Sequence, residues 1–321
     1  MADQYQRICS LLPSATEIVY ALGLGDRLVA VTHECDYPPE ACQKPQATYS
    51  LVRHDQLTAL EIDIAVRERL AEDGTIYALD QAVLEHLKPD LILTQQVCDV
   101  CAVSYDRVQR AAVTLEGARV VSLNPHHLQD IFDNIRLVGE LTGTQQRAEA
   151  LIAAAYQRIG RVATIAAKIR RRPRVVVLEW LNPPYRAGHW TPEIVQLAGG
   201  YDALGRAAED ATIVEWAEVL EFAPEVVIIA QCGFDLVRSE LEARRTAWPA
   251  GWEKLPAVRS GQVYLVDGNA YLSRPGPRIV ESLEIVAEIL HPGLFAGLAP
   301  AGSYQRFSLA TEEASRGTRS L

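Results

Sequence analysis

The sequence predicts an α/β protein of two Rossmann-like lobes, each with a parallel sheet, bridged by a single long helix. Three observations predict it. Short β-branched apolar runs alternate with amphipathic stretches, the pattern of strands and covering helices around parallel sheets. Residues 1–130 and 173–291 follow one script, in which Leu87-Lys88-Pro89-Asp90-Leu91-Ile92 is answered by Phe222-Ala223-Pro224-Glu225-Val226-Val227. Between the halves, residues 144–171 hold no proline and a single glycine, Gly160, which reads as one helix of roughly 38 Å. The expected units are a first lobe over 1–143, a connecting helix over 144–172, a second lobe over 173–295 and a mobile tail over 296–321.

The elements follow in order. Apolar runs at 8–12, 28–32, 90–95 and 119–123 read as buried parallel strands. Pro13 opens a helix through Leu22, with Ser14-Ala15-Thr16-Glu17 supplying cap chemistry. Further helices are expected over 79–87 and 129–142. In the second half, strands are expected at 174–179, 225–230 and 262–266, and helices at 191–198, 215–222 and 276–290. Residues 50–78 have no counterpart in the second half; they pack beside the first lobe or form a lid over a cleft. Residues 296–321 are small and polar without periodicity, hence the expected tail.

A chain of 321 residues is long enough for two cores. A net charge of -10 argues against a nucleic-acid partner, which needs a basic face. No run approaches the 18 or so apolar residues of a membrane span, so membrane insertion is not expected. The first residues, Met1 to Arg7, hold no basic segment followed by an apolar one. The expectation is a cytoplasmic monomer, with a periplasmic or extracellular setting if a leader has been removed.

In open parallel sheets, ligands bind beyond the carboxyl ends of the strands. Those positions carry Pro13; His33, Glu34 and Tyr37; Gln95 and Cys98; Trp180, Tyr185, His189 and Trp190; and Tyr271 and Arg274. Large rings on loops suit a large, flat, partly apolar guest. Each ring equally suits packing beneath its own loop. His33 and His189 suit either an axial bond to a bound metal or a structural hydrogen bond. Cys98 and Cys101 form a single CxxC, and Cys35 and Cys232 also sit at strand ends. These thiols admit loop packing, pocket lining, or a metal or redox site. No nucleophile–base pair or nucleotide-binding motif is present, so catalysis is not expected.

Residues 8–17, Ile8-Cys9-Ser10-Leu11-Leu12-Pro13-Ser14-Ala15-Thr16-Glu17, resemble the opening of class III substrate-binding proteins of ABC importers. Asp36-Tyr37-Pro38-Pro39, Asn182-Pro183-Pro184-Tyr185 and Ala223-Pro224-Glu225-Val226 extend the resemblance, which covers roughly residues 7–291. It is strongest to the cobalamin-binding branch. It implies cobalamin held between two lobes, with Pro13, Glu34 and Trp180 at ligand-contact positions. Glu34 stands where better-known members carry Tyr, and Trp180 where they carry Phe. The resemblance also implies an ABC permease partner docked through one surface carboxylate on each lobe, near Asp80 and Glu218. Haem and siderophore binders share the scaffold, and a cysteine-based metal or redox protein is a further alternative. A stiff connecting helix predicts a largely preformed cleft, with Glu34, Gln95, Asn269 and Arg274 holding the guest's side amides.

Overall fold

The protein is described by a computed structural model over residues 5–96, 105–113, 115 and 117–309. In the first lobe, β1 (Ile8–Ser10), α1 (Pro13–Ala21), β2 (Leu28–Ala30), β3 (Thr48–Ser50), α2 (Ala59–Asp73), β4 (Tyr77–Leu79), α3 (Gln81–Leu87), β5 (Leu91–Thr94), α4 (Tyr105–Ala112), β6 (Arg119–Ser122) and α5 (Leu128–Thr142) follow in order. The long helix α6 (Gln145–Ala166) leads to the second lobe. There β7 (Val175–Leu181), β8 (Pro184–Arg186), α7 (Thr191–Leu197), β9 (Thr212–Ile213), α8 (Trp216–Phe222), β10 (Val226–Ile229), α9 (Leu236–Arg245), α10 (Pro256–Arg259), β11 (Val263–Val266), α11 (Ile279–Leu290), α12 (Pro292–Phe295) and β12 (Tyr304–Arg306) complete the chain.

The first sheet has the order β2-β1-β5-β6, all parallel. The second has the order β12-β11-β10-β7-β8-β9. Its centre, β11-β10-β7, is parallel as expected. Its margins are antiparallel, because β7 turns tightly into β8 through Asn182-Pro183 and β12 returns along β11. The second sheet thus keeps the expected parallel centre and adds antiparallel strands at both edges. The expected tail is corrected over part of its length: Tyr304–Arg306 pairs with β11 and the buried Phe307 ties residues 304–307 into the second lobe, while residues 310–321 lie outside the described residues.

The repeat extends to individual hydrogen bonds. Arg7, just before β1, donates from Nε to Leu87 O at 2.8 Å, closing the end of α3. Arg174, just before β7, donates from Nε to Ala223 O at 3.0 Å, closing the end of α8. The carboxylates of Asp90 and Glu225 then accept the backbone N–H of those same arginines. Both helices end in a left-handed non-glycine residue, Lys88 or Ala223, followed by proline, which cannot continue a helix.

The cap of α1 differs from expectation. Leu12 occupies the cap with no side-chain bond and Pro13 takes the first helical position, where its missing N–H costs nothing. The Thr16 hydroxyl donates instead to Ser10 Oγ at 2.8 Å. α6 buries Ala148, Ile152, Ala155, Ile159, Val162 and Ala166 on one stripe. That stripe belongs to one continuous apolar cluster with residues of both sheets, α5, α7 and α11, so the helix is a shared core element as well as a connector.

Candidate functional site

The strand order of the first sheet changes direction beside β1, where β2 lies on one side and β5 on the other. The crevice beyond such a switch point is where open α/β sheets take ligands. In this fold the segments at and beyond the carboxyl ends of β1, β2 and β5 and those of β7 and β11 carry the candidate residues.

In the first lobe, Pro13 is half-buried at the start of α1. His33 is held by Thr48, whose hydroxyl lies 2.8 Å from Nδ1, and its ring tilts against Tyr77. Its Nε2 lies 3.2 Å from Glu34 Oε1, and His54 Nε2 approaches the same oxygen at 3.5 Å. The hydrogen bond from His33 holds the Glu34 carboxyl below the usual carboxylate range. Gln95 is buried just past β5. Tyr37 is exposed, with the Arg278 guanidinium 4.0 Å above its ring. Cys98, with Cys101, lies outside the described residues.

In the second lobe the Trp180 ring packs against Phe234 at 4.9 Å. Tyr185 donates from its hydroxyl to Asp63 Oδ1 at 3.1 Å and accepts from Arg67. His189 sits in a left-handed backbone conformation, φ 51°, stacked on His126 of the first lobe at 5.9 Å. Burial keeps its imidazole below the usual histidine range, and Asp210 Oδ1 lies 3.2 Å from its Nε2. Trp190 is a correction: it is buried and donates from Nε1 to Leu272 O at 2.9 Å, so it belongs to the core and not to an exposed platform. Tyr271 is half-buried against that same core.

Arg274 is a second correction. It is 4 % exposed, and its guanidinium meets Glu17 at 3.2 Å, Asp36, and Asn269 Oδ1 at 2.8 Å. Asn269 in turn donates to Asp36 Oδ2 at 2.6 Å. Both residues are engaged in this cluster between the lobes, which corrects the expectation that they are held ready for a guest's side amides. Burial alone would raise the Asp36 carboxyl, but Arg274 beside it holds it below the usual range. Together with Arg278, which reaches Glu17 Oε1 at 2.6 Å, these groups pin the first lobe to the second.

Residue patterns gave no signal for two further acids. Burial pushes the Glu179 carboxyl up to about 8, and its Oε1 accepts from Gly188 N. Burial also pushes Asp202 up to about 6. Both sit among backbone N–H groups near β7 and β8, and a lone acid in a strand or loop has no periodicity to mark it.

The insertion over 50–78 does more than pack beside its own lobe. β3 and β4 pair antiparallel, Thr48↔Leu79 through Ser50↔Tyr77, and α2 between them reaches across to the second lobe. Ala59 and Ile62 join Phe234 in one small cluster, with Leu57, Val66 and Trp180 against it. The Trp180 Nε1–H donates to Ala59 O at 3.2 Å. The expected open platform at Trp180 and Tyr185 is therefore covered by the chain's own helix, which corrects the expectation of a preformed slot.

Of the thiols, Cys35 is buried against the Thr16 hydroxyl, and burial pushes it up to about 12. Cys232 is exposed. Among the described residues no group of three His, Cys, Asp or Glu side chains is arranged to hold a metal ion. Among them, too, no helix is long and apolar enough to cross a membrane. Asp80 caps α3 by accepting from Val83 N, and Glu218 closes the capping box of α8.

A family model described as periplasmic binding protein matches residues 8–270. The vitamin B12-binding protein of Vibrio cholerae is 27% identical over 294 residues, 89% of each chain. An uncharacterised ABC transporter substrate-binding lipoprotein of Bacillus subtilis is 25% identical over 296 residues, 90% of this chain and 81% of its own. Among solved structures, the periplasmic vitamin B12-binding protein of Vibrio cholerae superposes with a TM-score of 0.66 at 24% identity, over 90% of this chain and 97% of its own. A periplasmic heme-binding protein of Pseudomonas aeruginosa does so with a TM-score of 0.69 at 20% identity, over 90% and 94%.

Proposed function

The chain belongs to the periplasmic binding protein family, and from that premise we propose that it binds a corrinoid, cobalamin, between its two lobes without catalysing a reaction. The observation that carries the choice of guest is the state of the cations. Arg67, Arg186, Arg238, Arg274 and Arg278 each already face a carboxylate. An anionic siderophore or the carboxylates of a haem would want free guanidinium groups. A corrin fringed with neutral amides does not. In this reading Trp180 and Tyr185, once uncovered, and Tyr271 would offer ring surface to the guest, and His33, Glu34 and Gln95 would offer polar groups. The likeness to vitamin B12-binding relatives along both lobes supports the same reading. The lipoprotein relative supports a setting outside the cytoplasmic membrane and an ABC permease partner, in place of the cytoplasmic setting expected from the first residues.

Haem is the second reading, favoured by the facing rings of His126 and His189 across the lobes and by the structural likeness to a heme binder. Parallel titrations decide between them. Cyanocobalamin should bind with a Kd below about 10 µM, near -7 kcal/mol, read from the corrin band and a rise in melting temperature. Haemin should bind at least about tenfold more weakly, a gap of about 1.4 kcal/mol. Tighter haemin binding would select the second reading, and binding of neither would remove both.

A further inference from the structure

We infer that residues 51–76 are a hinged strap that occupies the guest platform of the second lobe and must lift off it before a guest can enter. The inference rests on the cleft-binding reading above and adds the element that gates it. The base of the strap is fixed. Leu51 N donates to Ile76 O at 2.8 Å, closing the β3–β4 ribbon, and Val52, Thr75 and Ile76 are buried in the first lobe. The tip is held lightly. Of the fifteen residues of α2 only Ala59 and Ile62 are buried, and Leu60 and Ile64 are left exposed. An element with so few buried apolar contacts opens at low cost compared with the whole fold.

Most polar contacts between the tip and the second lobe leave their buried group another partner when they break; the half-buried Tyr185 hydroxyl, bonded to Asp63 and Arg67 of the strap, passes to water instead. Glu242 is 1 % exposed and accepts the Ala59 N–H at 2.9 Å, where the positive end of α2 meets its charge. With the strap lifted, Arg238 and Arg245 remain beside that carboxylate, each at 3.2 Å. Trp180 Nε1–H donates to Ala59 O, but Asn182 O lies within 3.1 Å as a second acceptor. Arg238 donates to Leu57 O and keeps both Glu242 and the face of Phe234 when that bond is lost. A static structural contact would gain nothing from such duplicate partners. A contact that opens repeatedly needs them, since an unpaired buried charge is what makes opening costly.

The full-length protein tests this by two readouts. In hydrogen exchange without guest, amides of 59–67 should exchange at least about a hundredfold faster than those of α5, and Glu242→Gln should speed them by about tenfold more. In stopped-flow with cyanocobalamin, the wild-type association rate should level off as ligand rises, at the rate of strap opening. A variant joining Ser50 to Tyr77 through Asn-Gly, a two-residue hairpin turn that suits their pairing, should show a linear dependence and associate at least about tenfold faster. Strap amides that exchange only with those of α5, or association unchanged in the strapless variant, would overturn the inference. Should neither protein bind a guest, the corrinoid reading falls and the exchange data alone decide the strap.

Discussion

Glu17 illustrates how far a single side chain in this fold depends on distant sequence. It is 3 % exposed on α1 and meets Arg274 and Arg278 from the turn before α11, with Arg274 lying 257 positions away in the chain. Gly276 permits the approach, since a Cβ there would come within 3.3 Å of Ser14 O. A buried carboxylate between two guanidinium groups is satisfied, whereas removing its charge leaves buried cations short of a partner. Glu17→Gln should therefore lower stability by on the order of 3 kcal/mol, read from urea unfolding with an unchanged slope. Arg274 was recognisable as a strand-end cation, and its expected role at a guest's amides was a reasonable reading of position. Only the fold brings Glu17 and Asp36 to it. Trp190 follows the same logic, because a ring after a loop gives no hint that Leu272 O lies 2.9 Å from its Nε1.

Helix α6 was the most legible element. Its apolar stripe repeats at helical spacing, and the chain between Thr144 and Arg172 offers no proline to stop it. Gly160 interrupts the stripe's exposed side, and a Cβ built there meets nothing within 4 Å. Gly160→Ala should raise stability by about 0.5–1 kcal/mol through helix propensity and a less free unfolded chain, seen as a higher melting temperature. α2 was the least legible. Its sequence shows a clear start, since Thr58 and Glu61 form a capping box, but apolar and charged residues alternate along it and mark no single buried face. Such a helix is defined by what it lands on, and Trp180 and Phe234 lie more than a hundred residues further along.

At the scale of the molecule, the lobes are joined by one continuous apolar cluster through α6 and by the Glu17–Arg274–Asp36 brace. Motions that separate them would expose that cluster and strand those charges. Guest binding should leave the radius of gyration within about 1 Å of its unliganded value, with the change confined to the strap. Small-angle scattering with and without cyanocobalamin checks this; a larger contraction would mean that the lobes close as rigid bodies.

Periodicity determined the α/β class, the positions of the central strands along the chain and the connecting helix, because each follows from which neighbours along the chain are apolar, and the repeated motifs marked the duplication. The resemblance along both halves supplied the family. Tertiary structure decided the rest. It turned Arg274 and Trp190 from guest contacts into brace and core, folded residues 304–307 back as a strand, and laid residues 51–76 over Trp180. Those outcomes depend on contacts between segments far apart in the chain, whose strength is set by burial and by pairing of charge, and no local pattern records either.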